Sequence, residues 1–158
     1  MGTTFETMNK SHYHMEQAIT EAQAAATRGE VPVGCVLVAT TTGHVIAATG
    51  NRMAELTDPT AHAEILAIRE AVSQYKASRL REVDMYVTLE PCAMCAAAIS
   101  FARVRRLYFG AYDSKGGGVE HGGKFFSQPT CHHAPEVYGG MEETKCSLML
   151  KVFFAEKR

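Results

Sequence analysis

The chain has 158 residues, enough for one domain, residues 1–158, that buries roughly 70% of the surface exposed by its unfolded form. Apolar residues make up 46% and charged residues 21%, and no apolar run approaches the ~20 residues that cross a bilayer as a helix. This excludes helical membrane spans, collagen-like chains and global disorder, and a formal charge of −1 excludes a bulk basic field.

Residues 1–13 carry mixed charge and no apolar stretch, so they read as a disordered N-terminal segment without a secretory signal, and a cytoplasmic location is expected. Residues 14–28 are rich in Ala, Glu and Gln and stop before Gly29, which predicts a helix. Pro32 opens a β-branched run over 33–38, and the Thr41-Thr42-Gly43 turn, with His44 as a turn residue, joins it to a second run over 45–49 as a hairpin. Asp58-Pro59 reads as an N-cap with proline in the first turn. Ala61, Ile65, Ile68 and Val72 then give helical spacing over 60–74.

A strand is expected over 85–89, a short Ala-rich helix from Pro91 to Phe101, and a strand over 103–110. Residues 111–136 have five glycines and no period, the mark of a functional loop. From Glu142 the apolar positions Cys146, Met149, Leu150, Phe153 and Phe154 predict a closing amphipathic helix. The order predicts an α/β fold, a three-layer α/β/α domain with a mixed sheet flanked by helices.

Five cysteines without a secretory signal favour metal or thiol chemistry over a disulfide framework. Pro91-Cys92-Ala93-Met94-Cys95 sets two cysteines at i and i+3 on one face near a helix start, where the macrodipole favours thiolate. At this composition P-C-x-x-C is expected roughly 0.005 times, whereas H-x-E is expected roughly 0.6 times, so the cysteine motif carries the weight. His62-Ala63-Glu64 also sits at a helix start, thirty residues before Cys92, unlike the second H-x-E at His14-Met15-Glu16. One His and two Cys make the three-ligand set of a catalytic zinc that keeps its fourth position for water. Two alternatives remain: a structural zinc closed by Cys131, His132, His133 or His121, and a redox pair. Cys35 and Cys146, in apolar runs, read as buried thiols.

These residues resemble the zinc nucleobase deaminases, whose signature joins H-x-E to P-C-x-x-C. The runs Asp58 to Ala67 and Val87 to Cys95, with Glu30-Val31-Pro32-Val33-Gly34, Gly50-Asn51-Arg52, Ala102-Arg103, Phe109-Gly110-Ala111 and Phe153-Phe154, are similar to the bacterial tRNA adenosine deaminases that make wobble inosine. Cytidine deaminases usually have Cys where His62 stands.

The resemblance implies a cytidine-deaminase-like fold, one zinc per chain on His62, Cys92 and Cys95, and hydrolysis of adenosine to inosine by zinc-activated hydroxide. It implies Glu64 as proton shuttle, Asn51 and Ala63 as contacts to the base, a tRNA anticodon stem-loop as substrate, and a homodimer. Residues 99–128 hold a net charge of +3, which makes Arg103, Arg105, Arg106 and Lys115 candidate phosphate contacts, and the resemblance adds Phe153, Phe154, Lys157 and Arg158. A free-nucleobase deaminase acting on guanine or cytosine would share the zinc site, and a non-catalytic zinc module would need a fourth protein ligand.

Overall fold

A computed structural model describes residues 4–157. Helix α1 (Thr4–Thr27) leads into β1 (Gly34–Ala39), β2 (Val45–Gly50), a single turn α2 (Met53–Leu56) and α3 (Ala63–Tyr75). Then come β3 (Val83–Leu89), α4 (Ala93–Ala102), β4 (Arg106–Ala111), a 3₁₀ turn Phe125–Ser127, β5 (Glu136–Tyr138) and α5 (Glu143–Glu156).

The strands form one mixed sheet in the order β2-β1-β3-β4-β5, with β1 antiparallel to β2 and β3, and β3, β4 and β5 parallel. Helices cover both faces, which is why β1, GCVLVA, is buried at every position. Alternation sorts the side chains. Cys35, Leu37, Met85, Val87, Leu107 and Phe109 meet α3 and α4, whereas Val36, Val38, Tyr86 and Tyr108 meet α1 and α5. Each fully buried aliphatic or Phe side chain contributes about 1.5–3 kcal/mol. The three-layer α/β/α expectation holds.

Two differences from the sequence reading concern helix starts. Helix α1 begins at Thr4, so residues 4–13, expected to be disordered, are helical; residues 1–3 lie outside the described residues. Tertiary contacts extend it: Ser11 and His14 are buried against Tyr86, and His12 Nδ1 lies 2.6 Å from Glu142. The second helix begins at Ala63 with His62 as its N-cap; Asp58 instead accepts from Thr60 N–H (2.8 Å) in a tight turn. The long glycine-rich loop contains the 3₁₀ turn and runs into the edge strand β5, too short to show a period in sequence.

Because β2 runs parallel to β3 and β4, the C-terminal ends of all three lie along one edge of the sheet, beside the start of β1. Crevices in α/β folds form at such edges.

Candidate metal centre and active-site cleft

The residues after β2, β3 and β4 wall a cleft of about 210 Å³, lined by Val31, Val33, Asn51, Met53, His62, Glu64, Leu89, Glu90, Cys92, Asp113 and Gly116. His62 is the N-cap of α3 and Cys92 the N-cap of α4, both in extended backbone, and neither side chain caps its own helix. Both are therefore free to face the cleft, where the positive ends of the two helix dipoles meet.

His62 Nδ1 lies 3.7 Å from Cys92 Sγ and 3.5 Å from Cys95 Sγ, and the three donor atoms all fall within 4.8 Å of one another. Zinc with Zn–N near 2.05 Å, Zn–S near 2.3 Å and tetrahedral angles needs an N···S separation of about 3.6 Å. The donor set fits the ion, through Nδ1, the nitrogen that sequence could not choose.

Charge supports the same conclusion. The Cys95 thiol and His62 hydrogen-bond to Cys92 and hold its pKa down to about 4, against burial. Cys95, beside that thiolate and buried, is pushed far above the usual thiol range. Only a cation makes two thiolates comfortable at this separation.

His62, Cys92 and Cys95 are the only such cluster found among the described residues. The candidate fourth ligands lie elsewhere. His133 Nε2 is 2.7 Å from Val104 O, Ser100 Oγ donates to His133 O (2.6 Å), Cys131 Sγ is 3.6 Å from Ser100 Oγ, and Arg103 donates to His132 O, all at the far end of α4. His121 Nδ1 pairs with Glu90. The structural-zinc reading therefore has no closing ligand here. His14 of the second H-x-E packs against Tyr86 on the opposite face.

Glu64, one residue into α3, is 4% exposed and lines the cleft. Burial pushes its carboxyl above the usual range, partly offset by hydrogen bonds from its own backbone and Cys95. A carboxyl made more basic by burial is better suited to accept and return a proton. Asn51 Oδ1 accepts from Ala63 N–H (2.8 Å), taking over the capping that His62 leaves undone. This fixes the amide so that Nδ2 is the end left for a ligand. Ala63 itself is fully buried and absent from the cleft wall; its N–H goes to Asn51 and its C=O accepts from Thr49 Oγ1 (2.7 Å). In this structure the Ala63 N–H and C=O are thus held by the side chains of Asn51, just after β2, and Thr49, on β2.

Residues 8–111 match the family described as "Cytidine and deoxycytidylate deaminase zinc-binding region". This chain belongs to that family. It is similar to "tRNA-specific adenosine deaminase" of Agrobacterium fabrum, 59% identical over 94% of this chain and 96% of the relative, and to that of Rickettsia typhi, 43% identical over 91% and 97%. It also resembles a solved structure described as "Biochemical and Structural Studies of A-to-I Editing by tRNA:A34 Deaminases at the Wobble Position of Transfer RNA". There the TM-score is 0.85 at 59% identity, covering 87% of this chain and 99% of the other.

The expected phosphate contacts divide. Lys115, Phe154 and Lys157 line one surface hollow of about 670 Å³ together with Leu150, Ala155 and Lys151, a lysine sequence reading missed. Lys115 sits in the turn between Asp113 and Gly116, which wall the cleft, so hollow and cleft adjoin. Phe154 is 47% exposed while Phe153 is buried beside it, with Lys157 5.2 Å above the Phe153 ring.

Arg105 forms a bidentate pair with Asp84 (2.9 and 2.7 Å) and Arg106 pairs with Glu136 (2.9 Å), at the start of β4. The six-residue strand sets them about 20 Å from the cleft. Arg103 caps the far end of α4. The structure therefore places these three at the opposite end of the sheet from the cleft, paired with Asp84, Glu136 and the His132 carbonyl. Arg158 lies outside the described residues. Cys35 and Cys146 are buried as expected, and His44 lies in the hairpin turn.

Proposed function

We propose that this protein is a zinc-dependent hydrolase that converts adenosine to inosine at the wobble position of the tRNA anticodon. The observation that carries it is the three-donor set, His62 Nδ1 with Cys92 and Cys95 Sγ, opening on a cleft that holds a buried carboxylate which is not a ligand. When bound there, zinc supplies a water whose pKa is lowered to about 7. With zinc bound, Glu64 would carry one proton of that water to N1 of adenine as oxygen adds to C6, and then the remaining hydroxyl proton to the 6-amino group, which leaves as ammonia as the C6 carbonyl forms. Asn51 Nδ2 donates to an acceptor on the purine edge, and the 210 Å³ cleft suits a single base turned out of its stack.

The hollow of Lys115, Lys151 and Lys157 around exposed Phe154 offers phosphate contacts and a stacking face, as an anticodon stem-loop requires. Kinship at 59% identity with a tRNA-specific adenosine deaminase supports this choice over a free base. A tRNA substrate supports a cytoplasmic location. We also infer a homodimer: the exposed Met94 and Phe101, seven residues apart and so on one side of α4, offer apolar surface to a second copy, a state that sedimentation would measure.

The test supplies zinc-loaded protein with tRNA, adenosine, guanine and cytosine in parallel and measures ammonia and products. Inosine formed only in tRNA is expected; xanthine from guanine, or uracil from cytosine, with no inosine in tRNA would overturn the assignment.

A further inference from the structure

Glu90 lies between the end of β3 and the Pro91-Cys92 pair, with its side chain 0% exposed. A carboxylate taken out of water needs a full set of hydrogen bonds, and here one loop provides them. Oε2 accepts from the backbone N–H of Val119 (3.2 Å), Glu120 (2.9 Å) and His121 (3.1 Å), Oε1 accepts from Asp113 N–H (3.1 Å), and His121 Nδ1 lies 2.8 Å from Oε1.

The backbone closes the same joint. Glu90 N–H donates to Ala111 O and Gly118 N–H to Pro91 O, each at 2.8 Å. The fit leaves no room for side chains: a Cβ on Gly117 would overlap Glu90 Oε2, and one on Gly118 would come within 2.6 Å of Ala93 N. Residues 113 and 116 of this loop form one wall of the cleft.

We propose that Glu90 is a positioning residue that ties residues 113–121 onto the start of α4, making them the wall against which the substrate base packs. This deepens the deaminase reading and rests on it. Glu90 lines the cleft, but its carboxylate is 0% exposed and spent on the loop; it acts through the loop, so its loss loosens substrate binding rather than the proton steps.

The test compares wild type, Glu90→Gln and Gly117→Ala, each zinc-loaded. Glutamine keeps the shape but turns an N–H toward backbone N–H groups. Gly117→Ala disturbs the joint from the loop side and leaves Glu90 in place, so it carries the test if Glu90→Gln does not fold. In both, zinc should stay near one per chain, KM for an anticodon stem-loop should rise roughly tenfold, and kcat per bound zinc should change by less than about threefold. Amides of 113–121 should exchange hydrogen faster while those of α1 do not. A merely structural defect would lower kcat with the folded fraction at unchanged KM, and that result overturns the proposal, as does unchanged loop exchange. If wild type deaminates a free base instead of tRNA, the substrate assignment fails, and the KM for that base together with loop exchange still decides the role of Glu90.

Discussion

Replacing Glu64 by glutamine tests the chemistry without touching a ligand. The side chain keeps its volume inside α3, where Asn51 Oδ1 and not Glu64 serves the Ala63 N–H, so the helix start and the three-donor set should persist. Removing a general acid–base typically costs 10²–10⁴ in rate, or about 2.7–5.4 kcal/mol of transition-state stabilisation. At 4% exposure bulk water cannot stand in for the lost carboxylate, so we expect the upper half of that range, a loss of 10³-fold or more. The neutral amide also relieves the burial that pushes the Glu64 carboxyl up. A group with a raised folded pKa favours the fold below its unfolded value and disfavours it as pH rises, so Glu64→Gln should match or exceed wild-type stability at neutral pH. The assay is single turnover on saturating anticodon stem-loop RNA, with zinc content and thermal unfolding measured on the same sample. Turnover within tenfold of wild type at one zinc per chain would refute the shuttle role. Loss of zinc would refute the geometry that keeps Glu64 out of the ligand set.

X-ray absorption of the zinc-loaded protein should fit two sulfurs near 2.3 Å and one imidazole nitrogen at about 2.0–2.1 Å, and Cys92→Ser or Cys95→Ser should lose the metal and the activity together. Affinity for tRNA should fall with salt at a log–log slope of about −0.7 for each phosphate contact, and changing Lys115, Lys151 and Lys157 to Ala should flatten the slope by up to about 2, while Arg105→Ala and Arg106→Ala leave it unchanged. Burial of Tyr86 pushes its phenol from 10.0 to about 12, so its contribution is complete below pH 10 and is lost as pH rises toward 12, by up to about 2.7 kcal/mol; denaturant midpoints across that window should fall less steeply in Tyr86→Phe.

Much of the site was legible in the sequence because its chemistry is local. Pro91-Cys92-Ala93-Met94-Cys95 determines two sulfurs one helical turn apart, and the alternation of apolar periods determines layers of helix and strand, whatever the rest of the chain does. The family resemblance made Glu64 and Asn51 visible, since neither residue type is informative alone. What remained for the tertiary structure was everything that depends on which strand ends lie side by side. Parallel β2, β3 and β4 bring Asn51, Cys92 and Asp113 to one edge and carry Arg105 and Arg106, in the same basic stretch as Lys115, to the other. Strand direction is a pairing property, so charge counted along the sequence does not say at which end of the sheet a residue lies. The helix start at Ala63 is held by Asn51, a partner 12 residues away that outweighs the local signal of Asp58-Pro59, whereas α4 starts at Ala93 just after Pro91, as its sequence indicates. Glu90 itself gave no pattern to read, because its role depends on four backbone N–H groups, and backbone donors are the same in every sequence.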